Sequence, residues 1–159
     1  MTRILFVCLG NICRSPIAEA VFRQHVATLG VSDQYVLDSA GTGAWHIGGP
    51  ADSRGIAACA EVGIDLNSHR ARQVQPSDFM EYDYLIGMDQ NNLQTLRGLE
   101  PTQCRAKLAL MMDFCDVDTG QDIPDPYYGD DAGFDLAIEL CQRASAGLHH
   151  YCQSRGTGR

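Results

Sequence analysis

The segment Cys8-Leu9-Gly10-Asn11-Ile12-Cys13-Arg14-Ser15-Pro16 sets a thiol six positions before a guanidinium. A thiolate is a strong nucleophile, and an arginine fork can hold two oxygens of one phosphate. Together they suggest attack of sulfur on phosphorus and a phosphocysteine intermediate. The segment differs from the nucleotide-binding phosphate loop, because G-x-x-x-x-G-K-[ST] is absent and nothing replaces its lysine. On spacing alone, Cys8 reads equally well as a buried cysteine at a strand end.

The surrounding elements favour the chemical reading. Ile4 to Cys8 is a short apolar run, the pattern of a strand buried on both faces. Ser15-Pro16 reads as an N-cap and first helical residue, with Ile17, Ala20, Val21 and Val26 at helical spacing and Gly30 as the stop. Leu9 to Ser15 would then form a loop between a strand and a helix N-terminus, where backbone N–H groups and the helix dipole gather positive potential. Such a field depresses the pKa of a cysteine at its rim. Gly10 and Asn11 are residue types that tolerate the left-handed backbone of a tight loop.

Further strands are expected at Tyr35–Leu37, Tyr84–Met88 and Leu108–Met112, and helices at 52–61, 91–97 and 131–152. This alternation predicts one α/β domain over residues 1–153, with a four-stranded parallel sheet, helices on both faces and the phosphate-binding loop after the first strand. Residues 154–159 read as a frayed tail. Ligands in such sheets bind beyond the strand carboxyl ends, where Cys8 lies.

The 159 residues are 45% hydrophobic and 20% charged, an ordinary globular composition for one domain. Twenty acidic against 12 basic residues leave a net charge of −8, and Lys107 is the only lysine. That balance argues against nucleic acid or an anionic membrane as partner, so an anionic substrate needs a local positive site. Seven cysteines, an odd number without C-x-x-C, do not form a disulfide framework and point to a reducing, cytoplasmic compartment. No apolar run is long enough for a membrane span, and that after Arg3 is short for a signal peptide. His149 and His150 are adjacent on a helical pattern and diverge by about 100°, so no metal site is expected there.

The stretch from Leu5 to Ala20 resembles the signature of the low-molecular-weight protein tyrosine phosphatases, and Asp125-Pro126-Tyr127-Tyr128-Gly129 resembles that family's second signature. Asp38 to Thr42 and Ala71-Arg72-Gln73 are similar to further family segments. The resemblance implies that Cys8 is the nucleophile, Arg14 the phosphate clamp and Asp125 the general acid. It implies that Leu9, Gly10, Asn11, Ile12, Cys13, Arg14 and Ser15 surround the phosphate, with Asn11, Ser15, Ser39 and His69 supporting the loop. Trp45, Tyr127 and Tyr128 would wall the cleft for a phosphotyrosine ring. No cofactor or metal is implied, and the partners would be phosphotyrosine proteins, a tyrosine kinase among them.

Two rival readings share the first motif. An arsenate reductase on this fold needs a resolving cysteine pair near the third strand, and residues 81–96 contain no cysteine. A non-catalytic phosphotyrosine-binding module has no use for both Cys8 and Asp125. Cys8 and Cys13, five apart in one curled loop, could also approach disulfide distance, which suggests a redox switch.

Overall fold

The computed structural model describes residues 1–156, so residues 157–159 of the expected tail lie outside it. Strand β1 (Thr2–Cys8) leads to helix α1 (Arg14–Thr28), and β2 (Tyr35–Gly41) to α2 (Ser53–Glu61). Short helix α3 (Asp78–Glu81) precedes β3 (Tyr84–Gly87), α4 (Gln90–Leu99), β4 (Lys107–Leu110) and long α5 (Asp131–Gly156). The strands form one parallel sheet in the order β2-β1-β3-β4. Chain order reverses between β1 and β3, which makes the carboxyl end of β1 the crevice where such sheets bind ligands.

The pleat of β1 divides its side chains between two cores. Ile4, Phe6 and Cys8 join Ile17, Val21 and Phe22 of α1 and Phe134, Ile138 and Cys141 of α5. Leu5 and Val7 face the other way, toward Phe79, Leu85 and Leu96. Burial on both faces accounts for the unbroken apolar run. Phe6 is fully buried, and truncating such a ring costs about 3–5 kcal/mol.

Four expectations require correction. Ser15 is not the cap of α1: that position is Cys13, with no side-chain cap, because the Ser15 hydroxyl is bonded inside the loop. Strand β4 stops at Leu110, where Asp113 accepts the Leu110 N–H at 2.9 Å and turns Met111–Phe114 into a 3-10 helix. β3 likewise ends at Gly87, because the next N–H, of Met88, bonds Asn92 Oδ1 rather than a strand. Helix α5 continues through Ser154 to Gly156, since the Ser154 hydroxyl bonds the Tyr151 carbonyl and Arg155 lies over the Tyr151 ring.

Candidate active site

Beyond β1 the chain turns through residues 9–13 into α1, and its carbonyls are held by neighbouring segments. Thr42 N–H donates to Cys8 O and Gly43 N–H to Leu9 O, each at 2.9 Å. The His69 ring donates from Nε2 to Asn11 O at 2.7 Å, and Asp52 N–H donates to Ile12 O at 2.8 Å. A loop whose carbonyls are drawn outward turns its N–H groups inward, forming a concavity for an anion. The uncapped N-terminus of α1 adds its dipole to the same point.

The left-handed residue of the loop is Asn11, at φ +58°, and not Gly10. A Cβ at Gly10 would meet the His46 ring at 3.1 Å, so a larger residue there would press on that side chain. Asn11 is fully buried and uses both ends of its amide. Nδ2 donates to Ser15 Oγ at 2.8 Å and to Ser39 Oγ at 3.0 Å, while Oδ1 accepts the Arg72 N–H at 2.9 Å. Arg72 is itself clamped by Asp38 and Asp78. Behind the loop, a Cβ on Gly41 would stand 2.8 Å from Leu9 O, so β2 can approach this closely only with glycine there.

The cavity above the loop measures about 350 Å³ and is lined by Cys8, Leu9, Gly10, Ile12, Cys13, Arg14, Trp45, His46, Asp125, Tyr127 and Tyr128. Cys8 lies on its floor, 2% exposed, with its sulfur within hydrogen-bond distance of the Ser15 hydroxyl, at 3.0 Å. The Arg14 guanidinium is 3% exposed and donates to Asp89 at 2.6 Å and to the Ile123 carbonyl at 2.9 Å. Asp125 Oδ2 pairs with Arg14 Nη2 at 3.5 Å, and its Oδ1 accepts the Tyr127 N–H at 3.1 Å. Burial, then the charges of Asp52 and Cys8, push the Cys13 thiol up to about 12.

Three aromatic residues border the mouth. Trp45 is 70% and Tyr128 89% exposed, so both present open faces, while the Tyr127 ring packs edge-on against Tyr128. Ser39 and His69 lie behind the loop, where they touch Asn11 rather than the cavity. Sequence reasoning missed Asp89, which holds Arg14, and His46, which lines the cavity. Asp89 has a legible signal, an acidic residue at the carboxyl end of the strand beside β1. His46 has none, as it lies in an irregular glycine-rich loop. His149, outside this site, spends its Nδ1 on the Tyr35 hydroxyl at 2.6 Å.

The family profile described as low molecular weight phosphotyrosine protein phosphatase matches residues 3–156. The chain belongs to that family. The phosphatase is 46% identical to the low molecular weight protein-tyrosine-phosphatase of Streptomyces coelicolor, over 92% of its own length and 90% of the relative's. It is 44% identical to the pig low molecular weight phosphotyrosine protein phosphatase, over 88% and 89% of the two chains. Its fold is similar to the crystal structure of the Entamoeba histolytica protein tyrosine phosphatase with Hepes in the active site. The TM-score there is 0.92 at 38% identity, covering 98% of this chain and 99% of the other. The protein is thus a phosphatase acting on phosphotyrosine proteins. Among the described residues, no helix is long and apolar enough to cross a membrane.

Proposed function

We propose that Cys8, Arg14 and Asp125 carry out phosphotyrosine hydrolysis in two displacements. The supporting observation is the outward tethering of the loop carbonyls around a buried sulfur, with Arg14 and Asp125 on the same cavity. The Cys8 thiolate attacks phosphorus in line and the bond to the phenolic oxygen breaks. Loop N–H groups and Arg14 hold the equatorial oxygens as charge develops. Protonated Asp125 gives its proton to the departing oxygen. As a carboxylate it then takes a proton from the water that attacks phosphorus, releasing phosphate and the Cys8 thiolate.

Depth selects the substrate. Cys8 lies on the floor and the aromatic residues at the rim, so a flat phenyl stem reaches the sulfur while a serine stem is too short. A cytoplasmic tyrosine kinase carrying phosphotyrosine is a partner of this class. The test is Asp125→Ala against aryl phosphates of graded leaving-group pKa. Poor leaving groups lose about 100-fold or more and activated ones far less. Equal loss across the series would reduce Asp125 to a loop-shaping residue.

The same cavity supports redox control. Cys8 sulfur attacks a peroxide oxygen, the O–O bond breaks and hydroxide leaves, giving a sulfenic acid. Cys13 sulfur then attacks Cys8 sulfur, loses its proton and expels water, forming a disulfide. Oxidation also removes the Cys8 charge, which is one of the causes holding the Cys13 proton. Cys13→Ser is expected to stay active but to be inactivated irreversibly by peroxide. Full recovery of that variant with dithiothreitol would exclude the switch.

A further inference from the structure

Arg54, the second residue of α2, joins the two halves of the site without lining it. Its Nε and Nη2 bond both oxygens of Asp52, at 3.1 and 3.0 Å. Nη2 also donates to the Tyr127 carbonyl at 2.9 Å, and Nη1 to the Gly129 carbonyl at 3.0 Å. The guanidinium lies over the fully buried Phe134 ring, 4.7 Å from its centroid. Asp52 is tied in turn to the phosphate loop through its N–H to Ile12 O. A continuous chain therefore runs from Ile12 through Asp52 and Arg54 to Tyr127, whose N–H holds Asp125.

Two facts separate this arrangement from ordinary helix capping. The cap of α2 is complete without the guanidinium, because Asp52 already accepts the Arg54 main-chain N–H at 2.9 Å. No helix or strand is formed between residues 115 and 130. Before Asp125 this loop is anchored at Ile123, whose N–H donates to the Met88 carbonyl and whose carbonyl accepts from Arg14, each at 2.9 Å. After Asp125, Arg54 holds the Tyr127 and Gly129 carbonyls. A planar fork with five donors can bond a carboxylate and two carbonyls at once, which an ammonium cannot do in the same geometry.

We propose that Arg54 is a positioning residue for proton transfer to the leaving group, fixing the Asp125 loop at its working distance from the Cys8 loop. The inference rests on Asp125 being the acid. Displacing a catalytic group by about 1 Å can cost roughly 100-fold, and Arg54 can lose no more than Asp125 itself supplies.

The test compares kcat/KM of wild type, Arg54→Ala, Arg54→Gln, Arg54→Lys, Asp125→Asn and the Arg54→Ala/Asp125→Asn double variant on phenyl phosphate and on 2,4-dinitrophenyl phosphate. The inhibition constant for inorganic phosphate is measured in parallel, and a value within threefold of wild type shows an intact phosphate loop. Arg54→Ala and Arg54→Gln are expected to lose about 30-fold on phenyl phosphate and less than threefold on the activated ester. Arg54→Lys recovers part of that loss, and the double variant is no slower than Asp125→Asn. Equal loss on both esters, additive loss in the double variant, or no loss would overturn the proposal. If Asp125→Asn itself fails to separate the esters, the acid assignment falls first and takes the inference with it.

Discussion

Asp89→Asn is a direct test of what holds Arg14 in place. Asp89 takes the Arg14 guanidinium on Oδ2 at 2.6 Å and caps α4 by accepting the Asn92 N–H on Oδ1 at 2.7 Å. Asparagine retains one acceptor for the cap but sets an amide or an uncharged oxygen against the guanidinium. Removing one partner of a buried ion pair costs about 3–5 kcal/mol. Here Arg14 keeps the Ile123 carbonyl, and the Asp89 side chain is 16% exposed, which lowers the loss to about 2 kcal/mol. For a chain of this length that corresponds to a fall in Tm of roughly 4–8 °C. Released from Asp89, Arg14 can close its 3.5 Å gap to Asp125, drawing both from their working positions. Turnover of p-nitrophenyl phosphate is expected to fall about tenfold, with weaker inhibition by phosphate. Calorimetry and steady-state kinetics on one preparation read both effects. A Tm within 1 °C of wild type together with unchanged phosphate inhibition would refute the reasoning.

Gly41→Ala is expected to cost about 1–3 kcal/mol and to weaken phosphate inhibition, because its Cβ presses on the Leu9 carbonyl. The control, Gly98→Ala in α4, meets nothing within 4 Å and leaves both unchanged or slightly improves stability. Burial holds His25 and His149 below the usual imidazole value, and for His149 the charge of His25 adds to this. The unfolded chain takes up protons near pH 6.5 that the folded chain refuses, so stability is full above that pH and falls as pH drops toward the folded values. Tm is expected to be lower at pH 5.5 than at 7.5, and His149→Gln to flatten that slope; an unchanged slope would remove His149 from the account.

Local signals made much of the site legible. The apolar run of β1, Pro16 just inside α1 and Asp52 as the cap of α2 each act within a few residues, and each has a direct sequence signature. Met111 and Met112 misled because they are nearly fully buried in a 3-10 turn, and an apolar run does not distinguish a strand from a buried turn. Asn11 was legible as a turn residue, and the family resemblance supplied Ser15, Ser39 and His69 as loop support. Spacing alone did not connect Asn11 to Ser39, His69 and Arg72, which arrive from 28 to 61 positions away. Asp89 had its strand-end position as a signal, but its pairing with Arg14, 75 residues away, had none. Arg54 acts through contacts 73 residues distant, which no local pattern encodes.

The central claim is that phosphate passes through Cys8 sulfur. Asp125→Ala turning over p-nitrophenyl phosphate forms the intermediate with little need of an acid but lacks the base that hydrolyses it. Quenching that reaction in acid within the first turnovers and mapping the peptides by mass spectrometry reads the intermediate directly. The account predicts one phosphoryl group on the peptide containing Cys8, and neither label nor turnover in Cys8→Ser. Turnover without that label, or turnover surviving in Cys8→Ser, would contradict it.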